Sequence, residues 1–341
     1  MMISVDKRLL ILFSFFLLLF TQCTVNREGG PYLALEGFTQ GTTYHITYQS
    51  KDTLDLSTTV DSILHAFDMS LSTWIPGSII SRVNNNEDPE VDGMFTKVFR
   101  ESERVNAISG GAFDITVGPL IDAWGFGPEK KVEIDSAIID SLLQYIGMSK
   151  VKLEGKHVVK EIPQIRLDVN AIAQGYSVDV VCACLDSLKI KNYMVEIGGE
   201  IRVKGVNPAG RMWKIGIDRP DFGNMIPGER LQKELNLTDH ALATSGNYRK
   251  FFEEDGVKYA HSIDPLTGYP KQDRLLSASI VTKECITADA YATVCMVSGF
   301  EKAKEFILSQ NQVEAYFIYS DDKGRYREWF TPGLRHYLED P

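Results

Sequence analysis

The sequence reads as an α+β protein with a mainly antiparallel sheet and flanking helices. Three observations lead there. From residue 150 onward, short runs rich in β-branched and aromatic residues outnumber the helical ones. Helical runs interrupt them without the regular strand–helix rhythm of a parallel sheet. The chain also contains neither G-x-G-x-x-G nor G-x-x-x-x-G-K-[ST], the glycine loops with which doubly wound folds cradle phosphates.

The elements follow in order. Residues 32–48 alternate β-branched and aromatic side chains around Gly37 and Gly41, as two strands and a turn would. Residues 56–69 place Val60, Ile63, Leu64 and Phe67 on one helical face. A second helix over 95–108 is stopped by Gly110 and Gly111, and a third over 135–146 by Gly147. Residues 125–131 read as a surface loop. Strands are expected at 150–153, 157–160 and 165–169, followed by a helix over 174–188. Further strands are expected at 193–203, 212–217, 230–237, 241–245, 259–263 and 277–282. Helices are then expected from Thr287, as its N-cap, and over 301–310, with strands at 313–319 and 326–330.

The formal net charge of −10 disfavours a nucleic-acid partner and a peripheral grip on anionic lipid. The N-terminus stands apart. Lys7 and Arg8 precede an apolar run over 9–20, the pattern of a signal peptide over residues 1–22. Leu19-Phe20-Thr21-Gln22-Cys23 resembles a lipoprotein processing site, with Gln22 where a small residue is usual, and makes Cys23 a lipidation candidate. A plain cleaved signal or an uncleaved anchor is the alternative. Residues 24–31 form a polar tether, and residues 32–335 one folded domain. Cys182, Cys184, Cys285 and Cys295 read as buried thiols, since no C-x-x-C or zinc spacing is present.

Four segments carry candidate chemistry. His261-Ser262-Ile263-Asp264-Pro265-Leu266-Thr267-Gly268-Tyr269-Pro270 packs three turn signals into ten residues, a rigid platform from which His261 and Asp264 would project. Asp289 and Thr293 lie four apart on a helix, so a carboxylate and a hydroxyl share a face that suits a hard cation such as Mg²⁺. Asp168 to Tyr176 links strand to helix, where exposed backbone groups meet ions. Phe113 beside Asp114, in a glycine-bounded loop, would hold a purine or flavin ring. Each has a plainer alternative: a structural turn, a helix-dipole partner, a strand–helix joint, and a helix stop with Phe113 in the core.

The order of these segments resembles the ApbE family of FAD:protein FMN transferases. The resemblance rests on Gly41-Thr42, Ser72-Thr73-Trp74, G-A-F-D-I-T-V-G-P-L at 111–120 and Asp168 to Tyr176. It continues through Ile197-Gly198-Gly199-Glu200, Ala243-Thr244-Ser245-Gly246, the 261–270 loop, and Ala288 to Thr293. It spans roughly residues 35–330. Gln174 stands where many members have Lys or Glu, Gln40 where Met is common, and Asn170-Ala171 where Gly-Gly or Ser-Thr is frequent.

The resemblance implies the family's α+β fold, with two lobes around an FAD cleft. It implies that Gln40, Trp74, Ala112, Phe113, Asp114, Asp168, Gln174 and Ile263 line the FAD site. Ala171 and Ala292, through their backbones, together with Asp289 and Thr293 would surround Mg²⁺, and His261 would be the general base. The implied reaction moves FMN from FAD to a Ser or Thr hydroxyl of an acceptor protein, a subunit of a membrane redox complex, and releases AMP. The lipid anchor would hold the enzyme on the periplasmic side of the inner membrane. Two other readings use the same residues: a Mg²⁺-dependent FAD pyrophosphatase giving FMN and AMP, and a non-enzymatic FAD-binding lipoprotein.

Overall fold

Eight strands form the backbone of the structure, a computed structural model that describes residues 29–129, 134–221, 228–247, 251–254, 257–260 and 262–338. β1 (Tyr32–Thr39) and β2 (Thr42–Gln49) make the first hairpin. Its two-residue turn, Gln40-Gly41, has φ of 51° and 73°, the left-handed pair that matches the twist of the strands. The sheet continues with β5 (Tyr193–Ile197), β6 (Glu200–Lys204), β9 (His240–Gly246), β12 (Leu275–Thr282), β13 (Glu314–Ser320) and β14 (Tyr326–Phe330). Every neighbouring pair is antiparallel. The expected fold class is therefore the observed one.

Helices cover one face. α1 (Ser57–Leu71), α2 (Ile79–Asn84), α3 (Gly93–Ile108), α4 (Gly118–Trp124) and α5 (Ser136–Leu143) precede the two-stranded unit of β3 (Val151–Glu154) and β4 (His157–Lys160). α6 (Asn170–Ser187) and α7 (Cys285–Ser298) then lie against the sheet, with α8 (Phe300–Ser309) beside them. Both α6 and α7 are buried over most of their surface, as helices sandwiched between a sheet and other helices must be. α6 packs Val178, Val181, Cys182 and Leu185 against Tyr44, Ile46, Tyr193 and Val195. α7 shares a core with Ala278, Ile280 and Phe317 of the sheet. The opposite face is closed by the hairpin of β7 (Trp213–Asp218) and β8 (Leu231–Leu237), whose Trp213, Ile215 and Leu235 meet Leu242, Val281 and Ile318. A smaller core joins Leu120, Trp124, Ile139, Ile146 and Ile263. β10 (Phe251–Glu254) and β11 (Val257–Ala260) form a separate ladder, and α9 (Arg335–Leu338) ends the described chain.

The structure corrects several boundaries. The run over 193–203 is two strands, because Gly198 and Gly199 (φ 64° and 108°) turn the chain into a hairpin. α6 begins four residues before the expected start. Residues 165–169 form no strand: their one ladder contact is the bridge between Arg166 and Val117. α7 begins at Cys285, so Thr287 is not its N-cap, and the Thr287 hydroxyl instead donates to Glu101 at 3.1 Å. The short helices α2 and α4 escaped the sequence reading, because two turns or fewer leave too little periodicity. Cys182, Cys285 and Cys295 are buried free thiols, as expected, whereas the free thiol of Cys184 is only half-buried.

The true cap of α7 comes from α6. Asp179 accepts from the backbone N–H of Cys285 at 3.0 Å and of Ile286 at 2.9 Å, and pairs with Arg202 at 2.6 Å. A buried carboxylate thus satisfies orphan donors of a helix start and meets its partial positive charge. Asp179→Ala leaves those amides and the Arg202 guanidinium without their partner. It is expected to cost about 3 kcal/mol, read as a lower denaturant midpoint, with Asp179→Asn retaining part of the loss.

Candidate active site

The contact between α6 and α7 brings the first group of candidates together. Gly175 sits where the helices are closest: a Cβ there would lie 2.5 Å from the Cys285 carbonyl oxygen and 2.6 Å from Asp289 Cβ. Its N–H donates to Asp289 Oδ2 at 2.9 Å. Asp289 is only 6% exposed, and burial pushes its carboxyl up to about 7 while the Gly175 hydrogen bond draws it back down. Among the described residues no Lys or Arg pairs with it. Thr293, one turn along α7, is half-buried, and Ala292 between them is fully buried. Ala171 is four residues before Gly175, so its carbonyl is the ordinary acceptor for the N–H that Asp289 also receives. Ala171 and Asp289, expected to share a metal, are thereby held on facing helices.

A second group surrounds the 110–116 loop. Asp114 is buried. Its Oδ1 accepts from the N–H and hydroxyl of Thr116 at 2.8 and 2.5 Å. Its Oδ2 accepts from the N–H of Met148 at 2.9 Å and from Asn106 Nδ2 at 3.3 Å. Burial raises its carboxyl above the usual range, against these four donors. Asp114 lines a cleft of about 240 Å³ together with Asn106, Gly111, Met148, Pro265 and Leu266. Asp168 is buried as well. Its two oxygens accept from Asn170 N and Nδ2, each at 2.9 Å, and burial pushes its carboxyl up to about 6.

The remaining candidates differ in what they present. Gln40, at the hairpin tip, meets the buried Ser177 hydroxyl of α6 through Oε1 at 3.4 Å, and its Nε2 is buried without a hydrogen-bond partner. Gln174 donates to the Ile197 carbonyl at 3.0 Å and lies so close over Gly198 that a Cβ there would touch its Nε2 at 1.7 Å. Trp74 is 60% exposed and free to stack, and Ala112 is half-buried. Phe113 follows the plainer of its two readings: at 2% exposure its ring belongs to the main core, and its carbonyl accepts from Asn106 at 2.7 Å. The side chain of Ile263 is likewise buried, in the small core.

His261 lies outside the described residues. The loop that follows it is as tightly tied as its prolines and glycine suggest. Asp264 N–H donates to the Tyr269 carbonyl at 2.9 Å, Gly268 N–H to the Asp264 carbonyl at 2.8 Å, and Trp124 Nε1 to the Gly268 carbonyl at 2.9 Å. The Asp264 carboxylate does not project from the platform as expected. It turns back to accept from Leu266 N–H at 2.9 Å. Gly175 and Ser177 were not singled out from sequence, although a glycine inside a helical pattern is a signal of close approach. Among the described residues no three of His, Cys, Asp and Glu converge.

This fold has known counterparts, and they define a class, the flavin transferases. A solved structure of the flavin transferase ApbE from Vibrio cholerae superposes with a TM-score of 0.81 at 36% identity, covering 90% of this chain and 99% of that one. The apo flavinyl transferase ApbE of Pseudomonas stutzeri gives 0.80 at 30% identity, covering 91% and 98%. Among curated relatives, the FAD:protein FMN transferase of Vibrio cholerae is 38% identical over 313 residues, which are 89% of this chain and 92% of that protein. The one from Haemophilus influenzae is 37% identical, covering 86% and 88%. The family model of the ApbE family matches residues 40–317, and the chain belongs to that family.

Two outcomes follow from the geometry. Gly175→Ala forces α6 and α7 apart and is expected to cost about 3 kcal/mol in chemical unfolding. Asp168 holds its proton in the folded protein up to about pH 6, but only to about pH 4 when unfolded. Its contribution to stability is therefore greatest below pH 4 and falls as pH rises to 6, then stays level. In ligand-free protein the difference in unfolding free energy between wild type and Asp168→Asn should decline by about 3 kcal/mol across that window. A flat difference would contradict the burial argument.

Proposed function

We propose that this chain, an enzyme of the flavin-transferase class, moves FMN from FAD to a Ser or Thr hydroxyl of an acceptor protein and releases AMP. The observation that carries the reading is Asp289: a buried carboxylate with one N–H donor and no cationic partner among the described residues, opposite Gly175 on a facing helix, one turn from Ala171. Such a group calls for a positive charge, and the oxygen donors around it are those Mg²⁺ prefers. Asp289, Thr293 and the carbonyls of Ala171 and Ala292 would hold the ion. Bound there, Mg²⁺ would neutralise pyrophosphate charge and stabilise the leaving AMP.

The chain's own residues supply the rest. Gln40, Trp74, Ala112, Asp114, Asp168 and Gln174 line the FAD site, with Phe113 and Ile263 contributing through their backbones because their side chains are buried elsewhere. Asp114 and Asp168 are fixed by donors on both oxygens, so they orient a ligand without reorganising. The acceptor hydroxyl oxygen forms a bond to the FMN-side phosphorus, and the bond from that phosphorus to the bridging oxygen breaks. AMP leaves with that oxygen. The hydroxyl proton passes to the imidazole of His261. Positioning and charge stabilisation carry most of such a transfer. The acceptor is a subunit of a membrane redox complex. Export by residues 1–22 and acylation of Cys23 would place the enzyme beside it on the periplasmic side of the inner membrane.

Incubation with FAD, Mg²⁺ and an acceptor domain bearing one target hydroxyl tests the reading. A flavin-fluorescent acceptor band and stoichiometric AMP are expected, with the band lost on chelation and restored by Mg²⁺. Asp289→Ala and His261→Ala should each lower the rate by at least about a hundredfold. Free FMN with an unmodified acceptor would show a pyrophosphatase instead.

A further inference from the structure

The segment 163–168 reaches the site without the support of a sheet. Apart from a local turn bond from Ile165 N–H to the Ile162 carbonyl at 3.3 Å, the bridge of Arg166 to Val117 and the bond from Asp168 N–H to the Ile115 carbonyl at 2.7 Å, side chains hold it in place. Asn84, the last residue of α2, provides the tie nearest to Asp168. Its Nδ2 donates to the Leu167 carbonyl at 2.9 Å, and its Oδ1 accepts from the Leu167 N–H at 2.7 Å. One carboxamide thus satisfies both backbone groups of a buried residue, as a neighbouring strand would. Two further ties lie upstream. Lys160 Nζ bridges the Val83 and Ile165 carbonyls at 2.9 and 3.0 Å, and Asn86 Nδ2 donates to the Pro163 carbonyl at 3.3 Å.

Asn84 is 8% exposed and touches none of the candidate ligand groups by hydrogen bond, yet it fixes the peptide that enters Asp168. On the other side, Asn170 fixes the Asp168 carboxylate. We infer that Asn84 is a positioning residue for the FAD site, acting through Leu167 on Asp168. The inference rests on the reading that Asp168 lines that site. The carboxamide is the one side-chain group that offers a donor and an acceptor in a plane spaced like a peptide, so neither Asp nor Leu at this position reproduces the pair.

A double-mutant cycle on FAD binding tests it, using the full folded chain with Mg²⁺ and titrating FAD by fluorescence. Asn84→Ala is expected to raise the FAD dissociation constant at least tenfold in the wild-type background, and less than twofold in an Asp168→Asn background. Val98→Ala, a core substitution in α3, serves as the control: with a comparable loss of thermal stability it should leave the dissociation constant unchanged. If Asn84→Ala fails to fold, Asn84→Asp takes its place, keeping an acceptor for Leu167 N–H but no donor for its carbonyl. Equal effects in both backgrounds, no effect of either Asn84 variant, or an effect matched by Val98→Ala would each overturn the inference. Failure of the functional reading shows separately, as wild-type protein that binds no FAD.

Discussion

The close approach of α6 to α7 at Gly175 is the constraint on which the rest of the site depends. A hydrogen atom at Cα is all that fits between Gly175 and the Cys285 carbonyl. That fit lets two buried carboxylates bridge the helices in opposite directions. Asp179 of α6 caps the start of α7, and Asp289 of α7 receives the Gly175 N–H of α6. Each helix therefore holds an acid that the other helix satisfies, and the register between them is set by hydrogen bonds as well as by packing. The first two turns of α6 then carry Ala171, Gln174, Gly175 and Ser177 to the same end of the sheet as the Gln40 turn and the Gly198–Gly199 hairpin.

Asp114, Asp168 and Asp289 share one electrostatic condition. Each is buried, each has its carboxyl raised by loss of water, and none pairs with Lys or Arg among the described residues. Their accommodation differs. Asp114 is saturated by four donors, Asp168 receives two from one residue, and Asp289 receives one. The first two are held rigid by donors on both oxygens. Asp289 is the least compensated of the three, with a single N–H donor for a buried carboxyl.

Much of the fold was legible because local chemistry fixes it. The Gln40-Gly41 turn, the helices over α1 and α3, and the β13–β14 pair were read from alternation, helical spacing and glycine stops, and they stand with small shifts. The failures have a common cause. Residues 165–169 carry a strand's composition, but Asn84 and Lys160 occupy the place of a strand partner. Thr287 carries a cap's chemistry, but Asp179 takes the role from a distant helix. Asp264 was read as projecting, and its nearest free donor was its own backbone two residues on.

By itself, the sequence determined the α+β class, the order of the motifs, the rigid turn after His261 and the acids that would carry the chemistry. These are local or ordinal properties: periodicity, turn propensity and residue type survive without coordinates. The tertiary structure alone decided which acid keeps a single donor, that the Phe113 ring lies in the core and that Asn84 ties down Leu167. Asn84 reaches across 83 residues to Leu167, and Asp179 across 106 to Cys285. Such bonds join one side chain to one backbone group, so they leave no period in the sequence, and only the close packing of α6 on α7 brings their ends together.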